Sequence, residues 1–271
     1  MDKTSLGDRM KDYEKRSAIS LLPKIPMIIR LDGKSFHTYT KMFKKTNTDP
    51  PFSKDLKDAM IYAIIETCNN GVMGLQCVYQ QSDEITFVVY QDGEKSQGWF
   101  DCKVQKVVSI ISSIFTRKFN YFMDMICENK EHYRGKDAYF DARCFNVPNI
   151  VEAHNCLVWR QQDFKRNSVQ MLGYHHFSHN SMNNLNCSQV QDRLMNEKQI
   201  NWNDLDVWKK RGVLVIKKRK VKDVTYFNKK LGKEQLKENV ERYEWGEVEC
   251  PIFTQKSVFE LIEEEKPNVV T

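Results

Sequence analysis

Two short stretches carry residue types that could do chemistry together. The apolar run Met27-Ile28-Ile29 breaks at Asp32-Gly33, and Gln80-Gln81-Ser82-Asp83-Glu84 interrupts the apolar segment CVYQQSDEITFVVY at residues 77–90. Taken singly, Asp-Gly is a common turn dipeptide and Asp83-Glu84 reads as a solvated turn. Brought to one place, two or three carboxylates repel and raise one another's pKa unless a cation neutralises them. Magnesium suits such a site, because it prefers oxygen ligands and is held by one or two carboxylates plus substrate phosphates. Two such ions about 4 Å apart serve an in-line displacement at phosphorus. Gly33 would let its backbone carbonyl approach the metal, and the turn after it, Lys34-Ser35-Phe36-His37, would approach a triphosphate. His37 has two readings there, contact with a base or phosphate and plain packing.

The elements that must position these carboxylates follow from periodicity. Residues 25–31 read as a strand, and Ser53 to Asn70 as a helix with Leu56, Met60, Ala63, Ile64 and Thr67 at helical spacing. Residues 77–90 read as a hairpin closed by the polar turn. Trp99 to Phe119 places Phe100, Val104, Val107, Val108, Ile111, Ile114 and Phe115 on one face of a helix of about five turns. The alternating segment AYFDARCFNV, 138–147, is a fourth strand. The order β-α-β-β-α-β is that of the ferredoxin-like split βαβ unit. In it the end of the first strand faces the hairpin turn, so Asp32 is expected to meet Asp83, with Glu84 alongside. The fold class expected is α+β.

At 271 residues and 41% hydrophobic composition the chain can bury a large core. Its N-terminus, MDKTSLGDRMKDYEKRS, is polar and unlike a secretory signal, and no stretch approaches the roughly 18 uncharged apolar residues of a membrane span, so a cytoplasmic location is expected. Eight cysteines contain no C-x-x-C pair and signal neither zinc nor a disulfide framework. The excess of Lys and Arg over Asp and Glu, 42 to 36, permits a polyanionic partner. Tyr174, His175, His176, Phe177 and His179 lack carboxylate or Cys partners at zinc spacing, so the segment 174–205 reads as a helix end and loop. Two parts are expected: a palm-like domain at 1–205, and at 206–271 a β-rich appendage packed on it, ending in an acidic helix at Val258 to Lys266.

Arg30-Leu31-Asp32-Gly33-Lys34-Ser35-Phe36-His37, Gln81-Ser82-Asp83-Glu84, Tyr139-Phe140-Asp141-Ala142-Arg143 and Trp159-Arg160-Gln161-Gln162-Asp163, in that order, resemble the serial motifs of the tRNA(His) guanylyltransferase superfamily. Leu6 to Lys11 and Arg211 to Leu214 add to the resemblance, which spans roughly residues 5–220. It implies a fold like the palm of ordinary polymerases and nucleotide addition in the reverse, 3′-to-5′ direction, at the 5′ end of a tRNA. It also implies two magnesium ions, activation of the 5′ phosphate by ATP or GTP, and a homotetramer. Carried over by residue, Asp32 and Asp83 match the metal-binding aspartates, the Gly33 carbonyl a backbone ligand, Glu84 a neighbouring acid, and Ser82 a triphosphate contact.

Two departures from the family pattern bear on the branch. Where eukaryotic members carry His-Ile-Asn-Asn, this chain has Lys165-Arg166-Asn167-Ser168, in which Asn167 fits the shared pattern. That favours the Thg1-like branch, whose members resemble template-reading repair enzymes. The expected triphosphate-binding lysine before Pro51-Phe52-Ser53 is displaced, which leaves Lys44 or Lys45 for the role. RNA contact is assigned to Arg9 and Lys11, to Arg160, Lys165 and Arg166, and to Lys217, Lys218 and Arg219 in the basic run 217–222, although such a run also reads as a solvated face. Two rivals share the topology. A diguanylate cyclase would carry a Gly-Gly-Asp/Glu-Glu-Phe hairpin in place of Gln-Ser-Asp-Glu, and an RRM-type RNA-binding module would carry stacking aromatics on its central strands.

Overall fold

The computed structural model describes residues 4–41, 49–93, 96–127, 136–230 and 232–265. In chain order they form α1 (Ser5–Arg16), β1 (Met27–Gly33), the single turn α2 (Phe36–Tyr39), α3 (Lys54–Asn69), β2 (Leu75–Gln81), β3 (Glu84–Val89), α4 (Val104–Cys127), β4 (Phe140–Asn146), α5 (Ile150–His176), α6 (His179–Met182), α7 (Cys187–Lys198), α8 (Val207–Arg211), β5 (Val213–Asn228), β6 (Lys233–Val248) and α9 (Val258–Glu264). The strands make one antiparallel sheet in the order β4-β1-β3-β2-β5-β6. Its first four strands and α3 and α4 reproduce the split βαβ order read from the sequence. None of the described helices is long and apolar enough to cross a membrane.

Strand alternation sorts β1 between two cores. Met27, Ile29 and Leu31 join Phe87 and Val78 beneath α3 and α4, whose Ala63, Ile64, Ile111, Phe115 and Phe119 are buried against them. Ile28 joins Val88, Tyr79 and Leu214 on the opposite face, beneath Ala153 and Leu157 of α5. Arg30 and Asp32 share the parity of Ile28, and the Arg30 guanidinium lies 5.4 Å from the Trp159 ring of α5. With both faces of β1 covered, its sequence reads as a near-continuous apolar run up to Arg30.

Local signals account for most boundaries. Ser53 caps α3 by accepting from the Leu56 N–H, and Asn149 caps α5 by accepting from that of Glu152. The helix expected from Trp99 starts five residues later. Trp99–Cys102 is a 3₁₀ turn in which Phe100 and Asp101 take left-handed φ of 50° and 53°, and the N-terminal segment reaches it through Leu21 N–H to the Cys102 carbonyl and Val104 N–H to that of Ile19. Residues 174–205, expected as a helix end and loop, contain α7. Asn186, in what reads as an asparagine-rich loop, is its N-cap and forms a capping box with Gln189, while Val190 and Leu194 bury one helical turn apart. A Cβ on Gly173 of α5 would meet Met182 Cε at 2.4 Å and Val190 Cγ1 at 2.7 Å, so a glycine permits this close approach.

Residues after 205 supply β5 and β6. β5 pairs with β2 over Val213–Ile216, yet its ladder with β6 runs on to Asn228, so most of the pair is a two-stranded ribbon projecting from the sheet.

Candidate active site

Asp32 lies at the end of β1 and is half-buried. One residue on, Gly33 is required by shape: a Cβ there would stand 2.2 Å from Phe36 Cδ2. Lys34 N–H donates to the Tyr139 carbonyl at 2.8 Å, and Ser35, at φ 53°, turns the chain into α2. Lys34 and His37 are exposed, the Lys34 ammonium standing 6.0 Å from the Tyr139 ring. The Phe36 ring is instead committed to the core, 5% exposed, with the rings of Tyr39, Phe140 and Phe119 at 4.9, 5.1 and 5.9 Å. Of Phe36, only the backbone is left to line the turn.

The facing hairpin is closed by the pair Gln81 and Glu84, which leaves Ser82 and Asp83 as its turn. Ser82 is exposed at φ 49°, and its carbonyl accepts from Gln80 Nε2 at 2.6 Å. Burial first, and with it the charges of Asp32 and Glu84, push the Asp83 carboxyl up to about 6, against hydrogen bonds from its own backbone and the Ser82 side chain. Asp32 and Asp83 are thus electrostatic neighbours, as the topology requires.

Glu84 has a different occupation. Its carboxylate accepts from Arg160 Nε at 2.6 Å and Nη2 at 2.8 Å, and from Gln81 Nε2 at 3.0 Å. Arg160 Nη2 also donates to Asp163 at 2.8 Å, and Asp163 accepts from Arg166 at 2.6 Å. At 9% exposure, with its fork occupied, Arg160 is a buried tie between α5 and the hairpin, not the RNA-facing cation expected from its place in the motif. Glu84, expected as a third catalytic carboxylate, faces that guanidinium for the same reason.

A further carboxylate, Asp141, lies beside Asp32, paired with it across β1 and β4. It is exposed, with Arg143 at 3.4 Å. The signal was the alternation of Asp141 and Arg143 with Phe140 and Ala142. Also unforeseen is a cavity of about 570 Å³ beside the hairpin turn, lined among others by Phe52, Leu56, Gln80, Ser82, Phe164 and Trp208. Those six residues come from four separate parts of the chain.

The remaining expected residues are dispersed. Asn167 is exposed on α5, one turn from Phe164 and Met171 of the cavity wall. Lys165 lies 5.7 Å from the Trp202 ring. Arg9 and Lys11 sit on α1, which buries no residue; Lys11 approaches Asp8 at 3.7 Å. On the ribbon, Lys217 lies 5.4 Å from the Trp245 ring, Lys218 donates to the Glu247 carbonyl at 3.0 Å, and Arg219 pairs with Glu241. Lys44 and Lys45 fall outside the described residues.

No group of three or more His, Cys, Asp or Glu gathers as a metal site among the described residues. Two neighbouring carboxylates, of which Asp83 is raised by burial and by the charge of Asp32, with a buried glycine beside Asp32, still form an all-oxygen donor set that fits a hard cation completed by substrate oxygens.

A sheet of palm topology with aspartates on a strand end and the facing turn suits metal-assisted displacement at phosphorus, and sequence comparison gives it a family. The profile described as Thg1, tRNAHis guanylyltransferase, matches residues 7–148. An uncharacterised protein of Acanthamoeba polyphaga mimivirus is 31% identical over 236 residues, covering 80% of this chain and 78% of its own length. A bacterial tRNA(His) guanylyltransferase (Thg1)-like protein, solved in complex with ATP, superposes with a TM-score of 0.77 at 34% identity over 97% of this chain and all of its own. The tRNA(His) guanylyltransferase of Saccharomyces cerevisiae, at 21% identity and a TM-score of 0.66 over 75% of this chain and 91% of its own, shares the fold. The chain belongs to the Thg1 family of nucleotidyltransferases.

Proposed function

We propose that this protein extends the 5′ end of tRNA in the 3′-to-5′ direction, choosing each nucleotide by pairing with the opposite strand. The neighbouring carboxylates of Asp32 and Asp83, at the open end of the palm sheet, carry this reading. In the first step an oxygen of the 5′ monophosphate attacks the α-phosphorus of ATP or GTP and pyrophosphate leaves. In the second, the 3′-hydroxyl of an incoming nucleotide attacks the activated 5′ phosphorus, and the activating nucleoside monophosphate leaves. Asp32, Asp83 and the Gly33 carbonyl would hold magnesium, which when bound neutralises the attacking and leaving oxygens. Ser82, Lys34 and the backbone of Ser35 to His37 would meet the triphosphate at the strand end.

The cavity supports a nucleotide substrate: Phe52 and Trp208, with ring centres 6.0 Å apart, offer apolar surface to a base beside the Ser82 turn. The cations Lys165 and Arg166, Arg9 and Lys11, and the ribbon's Lys217, Lys218 and Arg219 are proposed RNA contacts. A cytoplasmic location and a homotetramer belong to the same reading. So does a division into a catalytic part at 1–205 and a part at 206–271 that extends its sheet.

Lys165-Arg166-Asn167-Ser168 favours template-directed addition over a dedicated enzyme adding one guanosine to tRNA(His). The test is a tRNA lacking its 5′ nucleotide, incubated with magnesium and labelled nucleotides, with the end that grows mapped and the opposing base varied. The added nucleotide is expected to follow the opposing base. Guanosine added whatever the base would replace this reading with the single-addition one, and growth at the 3′ end would exclude both.

A further inference from the structure

We propose that Arg160 is a positioning residue: it ties the Ser82-Asp83 turn to α5 through Glu84 and so sets the placing of Asp83 opposite Asp32. This rests on the reading of the two aspartates as a cation-holding pair. The need for such a tie is visible in the ladder. Pairing between β1 and β3 ends at Leu31 and Ile85, so the tip that carries Asp83 projects past its last partner on β1. Asp32 and Asp83 repel across that unpaired end. Beside the tip, the side chain of Glu84 is gripped by both nitrogens of the Arg160 fork at 2.6 and 2.8 Å.

Arg160 is itself braced. Asp163 accepts from its Nη2 at 2.8 Å and is held in turn by Arg166 at 2.6 Å. The next residue, Gln161, fixes α5 from its other side, donating to the Pro251 carbonyl at 2.8 Å and accepting from Phe253 N–H at 2.9 Å. A planar fork on an anchored 27-residue helix holds a carboxylate in one orientation, which a lysine's single ammonium cannot reproduce.

The experiment compares Arg160→Met and Arg160→Lys with the wild type. It measures thermal unfolding, Mn2+ binding by paramagnetic resonance without nucleotide, and kcat and KM for ATP. Arg160→Met is expected to bind Mn2+ about tenfold more weakly and to lose on the order of a hundredfold in kcat, the cost of misplacing a reacting group by about 1 Å, with KM within about twofold. Arg160→Lys should fall between, and it carries the test if Arg160→Met does not fold. A folded variant of either kind with wild-type Mn2+ binding and kcat overturns the proposal, even if its melting temperature is lowered, because a purely structural tie predicts that outcome. Asp32→Asn and Asp83→Asn are the controls. Loss of Mn2+ binding and turnover in both, with retention in Arg160→Met, removes the positioning role alone; retention in the controls removes the metal reading and this inference with it.

Discussion

Two sets of ion pairs on this chain have the same chemistry and different surroundings. Between the sheet and α5, Glu84, Arg160 and Asp163 pair with side chains 15%, 11% and 25% exposed. Along the ribbon, Arg219 with Glu241, and Lys220 and Lys222 with Glu244, pair across the two strands with side chains 38–58% exposed. Buried charge must be paired in one geometry, because an unpaired partner there costs several kcal/mol. Exposed pairs contribute little and are screened by salt. The palm charges therefore determine where atoms sit, whereas the ribbon charges determine what field the surface presents.

The strongest way to break this comparison is to remove the charges that the palm exists to present. Asp32→Ala and Asp83→Ala should each abolish both activation and nucleotide addition, measured as labelled product under saturating magnesium. Circular dichroism should be unchanged, and melting in metal-free buffer should hold or rise, since repulsion is relieved. Near-normal turnover in either variant would refute the assignment.

Next in size is the buried tie. Arg160→Ala strands Glu84 and Asp163 without their shared partner and should cost about 3–5 kcal/mol in urea unfolding. Replacing the pair with apolar residues, Arg160→Met with Glu84→Leu, should recover most of that loss. A cost below about 1 kcal/mol for Arg160→Ala would place this pair with the ribbon's surface pairs.

Asp83 sharpens the contrast through pH. Its carboxyl sits near 6 in the folded chain against an ordinary 3.8, so the folded state holds the proton more tightly than the unfolded one. The associated stability is fully present below about pH 4 and is lost as pH rises through about 6. Asp83→Asn removes this dependence. In metal-free buffer it should exceed the wild type by about 2 kcal/mol above pH 7, a figure reduced for the partial exposure of the carboxyl. At about pH 4 the difference should vanish, and a constant difference across the range would point to another cause.

How much of this was legible in the sequence depends on how far apart the interacting residues lie. Asp32 and Asp83 could be paired because each ends or interrupts a strong apolar run and the β-α-β-β-α-β order brings those ends together. α3 was visible from its cap and its spacing. By contrast, the partner of Glu84 is 76 residues away on a helix whose periodicity gives no hint of which residue faces the hairpin. α7 is hidden in the sequence because asparagine signals both loops and helix caps. The basic run 217–222 was read without the acidic strand that neutralises part of it, since only the register between β5 and β6 sets Arg219 near Glu241 and Lys222 near Glu244.

That register yields the smallest expected effect on stability and a distinct one on binding. Lys220 and Lys222 hold the Glu244 carboxyl down to about 2. A depressed carboxyl contributes stability above its ordinary value near 4.5 that is lost as pH falls through about 2. Here the groups stand in water, so Glu244→Gln should leave the melting temperature unchanged at physiological salt. Its consequence lies in the field. Removing the acid frees Lys220 and Lys222 from their pairing, and with Glu241→Gln it frees Arg219. If the ribbon meets the phosphate backbone as proposed, the double variant should bind tRNA more tightly at low salt. The logarithmic salt dependence should steepen by roughly 0.9 for each cation newly engaged with duplex phosphate. An unchanged slope would place the ribbon away from the RNA and leave its charges as a solvated face.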